Sequence, residues 1–73
     1  METQQFEELL RHFNGRKPFV PFVVELLDGR AITVDQPVVF GGGAASFLTD
    51  DALIEFECEN VRAIRQAAHE TSP

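Results

Sequence analysis

Large apolar residues fall at Phe6, Leu9, Leu10 and Phe13 near the start of the chain. Their i, i+3, i+4, i+7 spacing puts them on one face of a helix and predicts a helix over 3–14. Thr3 is positioned to cap its first turn, and Gly15 to supply a left-handed stop. Glu7 and Glu8 stand early and Arg11 and His12 late, the order a helix dipole favours; the four-residue spacing pairs Glu7 with Arg11 and Glu8 with His12. Such a stripe needs a surface to lie on. The rest of the chain must supply it.

Beyond Gly15 the period changes. Pro18 and Pro21 close off further helix and favour extended backbone. The run Phe22 to Leu27 is β-branched and aromatic, Asp28-Gly29 reads as a two-residue hairpin turn, and Arg30 to Val34 returns antiparallel. A two-residue loop sets Leu27 opposite Arg30, Glu25 opposite Ile32 and Val23 opposite Val34. Phe22, Val24 and Leu26 then occupy the other face, which the helix stripe is expected to cover. Val38-Val39-Phe40 reads as a short strand ended by Gly41-Gly42-Gly43. Ser46 to Thr49 and Ala52 to Cys58 read as a second hairpin turning at Asp50-Asp51. Its alternation sends Ala52, Ile54, Phe56 and Cys58 inward and Glu55, Glu57 and Glu59 outward.

Val61 to Gln66 fits two descriptions. A last strand after a tight turn at Glu59-Asn60 is preferred, but Val61, Ile64 and Ala68 also suit a helix capped by Asn60 and running through His69. Residues 68–73 read as a frayed tail. The expected fold is mainly β with one N-terminal helix: a single domain over 1–73, with a small, bent antiparallel barrel over 19–66.

Composition sharpens this. Seventy-three residues leave room for one domain, and a chain of that size buries only about 60% of its unfolded surface. Cys58, as the lone cysteine, permits no intramolecular disulfide, and no Cys–His cluster offers a metal staple. Self-association is the remaining staple, so a homo-oligomer is expected. Met1 to Gln5 lacks the basic start of a secretory signal, and the longest apolar stretch, Phe19 to Leu27, is too short and too interrupted to span a bilayer. A cytoplasmic protein that does not enter membranes is the expectation.

The formal net charge is −6, and its distribution matters more than its size: residues 31–59 carry Asp35, Asp50, Asp51, Glu55, Glu57 and Glu59, with no Lys or Arg. Phosphate binding depends on basic side chains, so nucleic acid is a poor match for this chain. The local exception is a candidate patch of Arg11, Arg16, Lys17 and Arg30.

Candidate chemistry is thin. Three successive glycines suggest a phosphate loop, but no Lys follows and Ala44 to Leu48 reads as strand; a bend is the better reading. Cys58 stands between Glu57 and Glu59, whose charge disfavours a reactive thiolate, and its alternation points inward beside Phe56. His12 and His69 are far apart, and Asp50-Asp51 is an ordinary turn dipeptide. The row Glu55, Glu57 and Glu59 is usually just solvated, although it could dock a basic protein. No catalytic, cofactor-binding or metal-ligating residue is assigned, and an enzyme is not expected.

The helix followed by Leu26-Leu27-Asp28-Gly29-Arg30, then Asp35 to Phe40, then Phe56 to Ile64, resembles the Sm-like family. The resemblance implies a five-stranded, strongly bent barrel of the Sm-like or SH3-like kind with a helix over one end. It also implies rings built by edge-strand pairing and binding of RNA. Two departures stand out: the second strand is short, and Glu57 and Cys58 replace the basic residue and glycine with which the family typically contacts RNA. The pattern Pro18-Phe19-Val20-Pro21-Phe22, Leu27-Asp28-Gly29-Arg30, Val34 and Pro37 is also similar to a group of short bacterial proteins of unknown function. The functional expectation is a non-enzymatic assembly module pairing through the apolar edge Val38, Val39 and Phe40, with RNA binding at the basic patch as the alternative.

Overall fold

The computed structural model describes residues 1–67. A helix, α1 (Thr3–Asn14), precedes six strands: β1 (Phe22–Leu26), β2 (Ala31–Val34), β3 (Val39–Gly41), β4 (Ala44–Leu48), β5 (Leu53–Glu57) and β6 (Val61–Gln66). A single 3₁₀ turn, Cys58–Asn60, joins the last two. The strands form two antiparallel three-stranded sheets, ordered β2-β1-β6 and β3-β4-β5. The fold is thus mainly β with one N-terminal helix, as the periodicities predict. The strands do not form one closed barrel of five; they divide into two sheets, and the extended chain becomes strand at Phe22 rather than at 19. The expected tail 68–73 lies outside the described residues.

The helix stripe lies where its spacing places it. Phe6, Leu10 and Phe13 are buried, and they join Phe22, Val24, Leu26, Val34, Val38, Ala45, Phe47, Phe56, Val61 and Ile64 in one core. Phe13 stacks on Phe22 at 4.9 Å between ring centroids, and Phe6 meets Phe56 edge-on at 6.0 Å. Each such ring removed from water contributes about 1.5–3 kcal/mol, so the helix holds both sheets to a common core. Its ends differ from expectation. Thr3 is the first helical residue and caps nothing; its Oγ1 lies 3.4 Å from Cys58 Sγ instead. Gly15 keeps a right-handed φ of −88°. Glu7 accepts from the Gly43 N–H and Glu8 from Gln4 Nε2, so neither forms the expected pair with Arg11 or His12.

The first hairpin is one residue out of the predicted register. Leu26 N–H donates to Arg30 and Gly29 N–H to Leu26, with Gly29 at φ +95°. This is a three-residue loop whose glycine takes the left-handed bulge position. Val24 therefore faces Ile32 and Phe22 faces Val34. A one-residue slip moves a whole strand to the other face; here it brings Ile32 and Val34 onto the face the helix covers.

Gly42 and Gly43, at φ +64° and +85°, are the turn of the β3–β4 hairpin, pairing Gly41 with Ala44. Two successive positive φ angles are the condition for a tight hairpin turn with the twist of its strands, and glycine meets it without strain. The glycine run is a hairpin turn, and β4 starts at Ala44 rather than Ser46. The other hairpin closes at Asp50-Asp51 as expected, where Thr49 Oγ1 accepts from the Asp51 and Ala52 N–H groups. Of the two descriptions of Val61 to Gln66, the strand is the one adopted; it pairs with β1.

Candidate interaction surfaces

Two three-stranded sheets have four edges, and α1 clasps one of them at Val38, just ahead of β3. In the β3–β4 ladder the Gly41–Ala44 register turns the backbone groups of Val38 and Phe40 away from β4. Asn14, the last residue of α1, occupies both groups of Val38: its Nδ2 donates to the carbonyl at 2.9 Å and its Oδ1 accepts from the N–H at 3.0 Å. A side-chain carboxamide here stands in for a neighbouring strand. Of the predicted edge, Val38 is therefore buried and bonded, Phe40 is half-buried beneath the Arg11 guanidinium at 6.0 Å, and Val39 is 77% exposed with its side chain on the outer face.

Among the described residues nothing bonds to the outer backbone edge of β5, or to that of β6 beyond Val61. Cys58 N–H donates to Gly43 and Thr49 N–H to Ala52, so ladder alternation turns the backbone groups of Leu53, Glu55 and Glu57 away from β4. Ala67 N–H donates to Pro21, and the same alternation turns those of Ile64 and Gln66 away from β1. Sequence patterning does not point to these two edges, because which strand borders which is a property of the assembled fold.

The outer faces of the two sheets contrast. On the first, Glu25 lies between Arg65, at 2.5 Å, and Arg62, at 3.4 Å. The Arg65 hydrogen bond, assisted by the positive charge of both guanidinium groups, holds the Glu25 carboxyl below its ordinary range against an opposing effect of desolvation. On the second sheet Val39, Ser46 and Glu55 form one cross-strand row, Leu48 pairs with Leu53, and Ala44 with Glu57. Leu48 and Leu53 are 66% and 54% exposed. Among the described residues neither Glu55 nor Glu57 has an ion-pair partner. Two shallow hollows, of about 290 and 330 Å³, open on this face and share Val39 and Ser46.

The four basic residues singled out from the sequence are not brought to one place. Arg16 donates to Gln66 Oε1 at 2.9 Å, beside the Phe22 end of β1. Arg30 pairs with Asp28 at 2.8 Å at the hairpin tip, beyond the other end of that strand. Four strand steps of about 3.4 Å, roughly 14 Å, separate those ends. Arg11 is held over Phe40, and Lys17 is exposed beside Pro18. A further hollow of about 340 Å³ lies between the hairpin tip and β5, floored by Leu26 and Phe56 and rimmed by Asp28, Arg30, Glu55 and Asn60.

Cys58 is half-buried, packed against the core and next to Gly43. Among the described residues no three His, Cys, Asp or Glu side chains converge as metal ligands would, and no helix is long and apolar enough to cross a membrane. Compared with family models, with curated proteins and with solved structures, the chain shows no significant match in any of the three.

Proposed function

We propose that the chain is a non-enzymatic assembly module that forms a homo-oligomer by pairing the β5 edge of one copy with the β6 edge of the next. The observation that carries this reading is the pair of open edges, whose outward backbone groups at Leu53, Glu55 and Glu57 and at Ile64 and Gln66 can complete a ladder between copies. Charge supports it: the β5 side is acidic, while Arg62 and Arg65 give the β6 side one positive charge beyond what Glu25 neutralises. The thin core of so small a domain gains from the added burial. Because the paired edges differ, the contact is heterologous and propagates around a ring or along a filament.

The same arrangement fits the bent barrel expected from the Sm-like resemblance if β2 and β3 are the two arms of one sharply bent strand, which makes the six strands five. The β3 edge is the poorer pairing site, since Asn14 already holds Val38.

Light scattering coupled to size-exclusion chromatography tests the proposal. Oligomers are expected at micromolar concentration, and charge reversal at Glu55→Lys with Glu57→Lys is expected to dissociate them. Mixing that variant with an Arg62→Glu, Arg65→Glu chain restores opposite charge at each junction and is expected to restore assembly. A strictly monomeric wild-type chain at high micromolar concentration sinks the idea.

A further inference from the structure

Every formal charge in excess on this chain lies between residues 31 and 61, a segment with six acids and no Lys or Arg. The fold converts that stretch of sequence into one region of the molecule, because it comprises β2, the whole second sheet and their connections. The outer face of that sheet carries Val39, Leu48 and Leu53, three of the four large apolar side chains exposed among the described residues. It places unpaired Glu55 and Glu57 in register with Ser46 and Ala44. Exposed apolar groups gathered on one face, with charge along its margin, mark contact surfaces rather than ordinary solvated strands.

We propose that this face docks a cationic apolar segment of another protein, one in which Lys or Arg alternates with large aliphatic residues. The two hollows describe the fit. One is bordered by Pro37, Val39, Leu48 and Leu53 and receives an aliphatic side chain. The other is floored by the small residues Gly41, Ala44 and Ser46 and ends at Glu55 and Glu57. A Lys or Arg lays its methylene stem along that small-residue floor while its charged head reaches the carboxylates. They share Val39 and Ser46, so neighbouring side chains of one segment fill them together.

Charge decides between occupants. A second copy laid face to face would set Glu55 and Glu57 of one chain against the same acidic face of the other, with no basic residue from 31 to 61 to relieve it. The single surplus positive charge around Glu25, Arg62 and Arg65 does not neutralise both Glu55 and Glu57 when edges pair, so the face stays acidic in an assembled ring. Nucleic acid is repelled by the same field. A basic polypeptide is attracted.

The test uses the full chain, isotopically labelled, titrated with three soluble peptides that interleave leucine with lysine, glutamate or serine. The lysine peptide is expected to shift the amides of Val39, Ser46, Leu48 and Leu53, with an affinity that falls steeply as salt is raised. Val39→Ser with Leu48→Ser changes two exposed side chains away from the β5 and β6 edges and is expected to weaken that binding about ten-fold or more, with the oligomeric state unchanged. Separate readouts keep the two proposals apart: assembly fails in light scattering, docking in the titration. Equal response to all three peptides, shifts elsewhere on the molecule, or no binding overturns the docking proposal. So does concentration-dependent shifting of the Val39, Ser46 and Leu48 amides without peptide, since these lie off the pairing edge and their shift would mean that a second copy covers the face.

Discussion

The two sheets bury their inward faces almost equally and differ in what they show to solvent. Phe22, Val24 and Leu26 of the first sheet and Ala45, Phe47 and Phe56 of the second are all at most 7% exposed. Outward, the first sheet has Val23 at 8% exposure and a carboxylate between two guanidinium groups. The second has Val39, Leu48 and Leu53 exposed beside unpaired glutamates. Inward burial is what any small domain requires for stability and discriminates little between functions. The outward difference is where one sheet has its polar groups satisfied within the chain and the other leaves them open to a partner.

Substitution on opposite faces makes that contrast measurable, and its largest effect is inward. Phe22→Ala removes a fully buried ring stacked on Phe13 and is expected to cost about 3–5 kcal/mol. A domain of this size holds only about 4–11 kcal/mol in all. Leu48→Ala, two-thirds exposed, is expected to stay within about 0.5 kcal/mol of wild type. Urea denaturation followed by circular dichroism gives both numbers. A Leu48→Ala cost near that of Phe22→Ala would mean that the second sheet's outer face is already covered.

Next in size is the helix-to-edge clasp. Asn14→Ala leaves the Val38 N–H and carbonyl without their partner in a half-buried position, a loss of about 1–3 kcal/mol. The same variant uncovers the β3 edge, so it separates closure of an edge from simple stability. If edge pairing drives association, light scattering on this variant shows additional or larger oligomers. Unchanged association with lowered stability would assign Asn14 to packing alone.

A smaller loss is expected at the β3–β4 turn. Gly43→Ala forces a side chain into a left-handed conformation and sets its Cβ 3.2 Å from Cys58 Sγ. About 1–2 kcal/mol follows from the backbone alone. Gly42→Ala has similar backbone strain with nothing within 4 Å, so the difference between the two variants isolates the close contact with Cys58 and its neighbour Thr3. Identical losses would remove any role for that contact.

The helix, the inward positions Ile54 and Phe56 and the acid block were legible because each repeats a simple period or composition along the chain; the rest of that expected inward set is not in the strand, since Ala52 is exposed ahead of β5 and Cys58 begins the 3₁₀ turn. The register of the first hairpin was less so, since Asp28-Gly29 suits a two-residue turn and a three-residue loop with a bulge equally well. Burial decides between them: only the longer loop puts Ile32 and Val34 on the side of Phe22 and Val24. Asn14 shows a second limit. Locally it is an unremarkable helix terminus, and nothing near it announces a bond to a backbone 24 positions away. Which edges stay open depends on such bonds, so the candidate pairing site moved from Val38–Phe40 to β5 and β6 once the elements were assembled.

The smallest effect concerns the charges of the first sheet. Folding lowers the Glu25 pKa, chiefly through the Arg65 hydrogen bond, so the folded chain binds this proton more weakly than the unfolded chain. The contribution is therefore complete above the unfolded glutamate value of about 4.3 and is lost as pH falls through the lower folded value. Asp28 moves in the same direction, its carboxyl held down first by the Arg30 backbone N–H and then by that residue's side chain. Glu25→Gln should thus be less stable than wild type at neutral pH, with the gap closing on acidification through pH 4. Glu25 is half-buried but its partners Arg62 and Arg65 are exposed, so the gap should also shrink with salt. Urea midpoints of the two chains at neutral and acid pH check the sign. A gap that is constant with pH would mean that the Arg62–Glu25–Arg65 cluster contributes no more than any solvated charges, and the first sheet's outer face would then be as open to a partner as the second's.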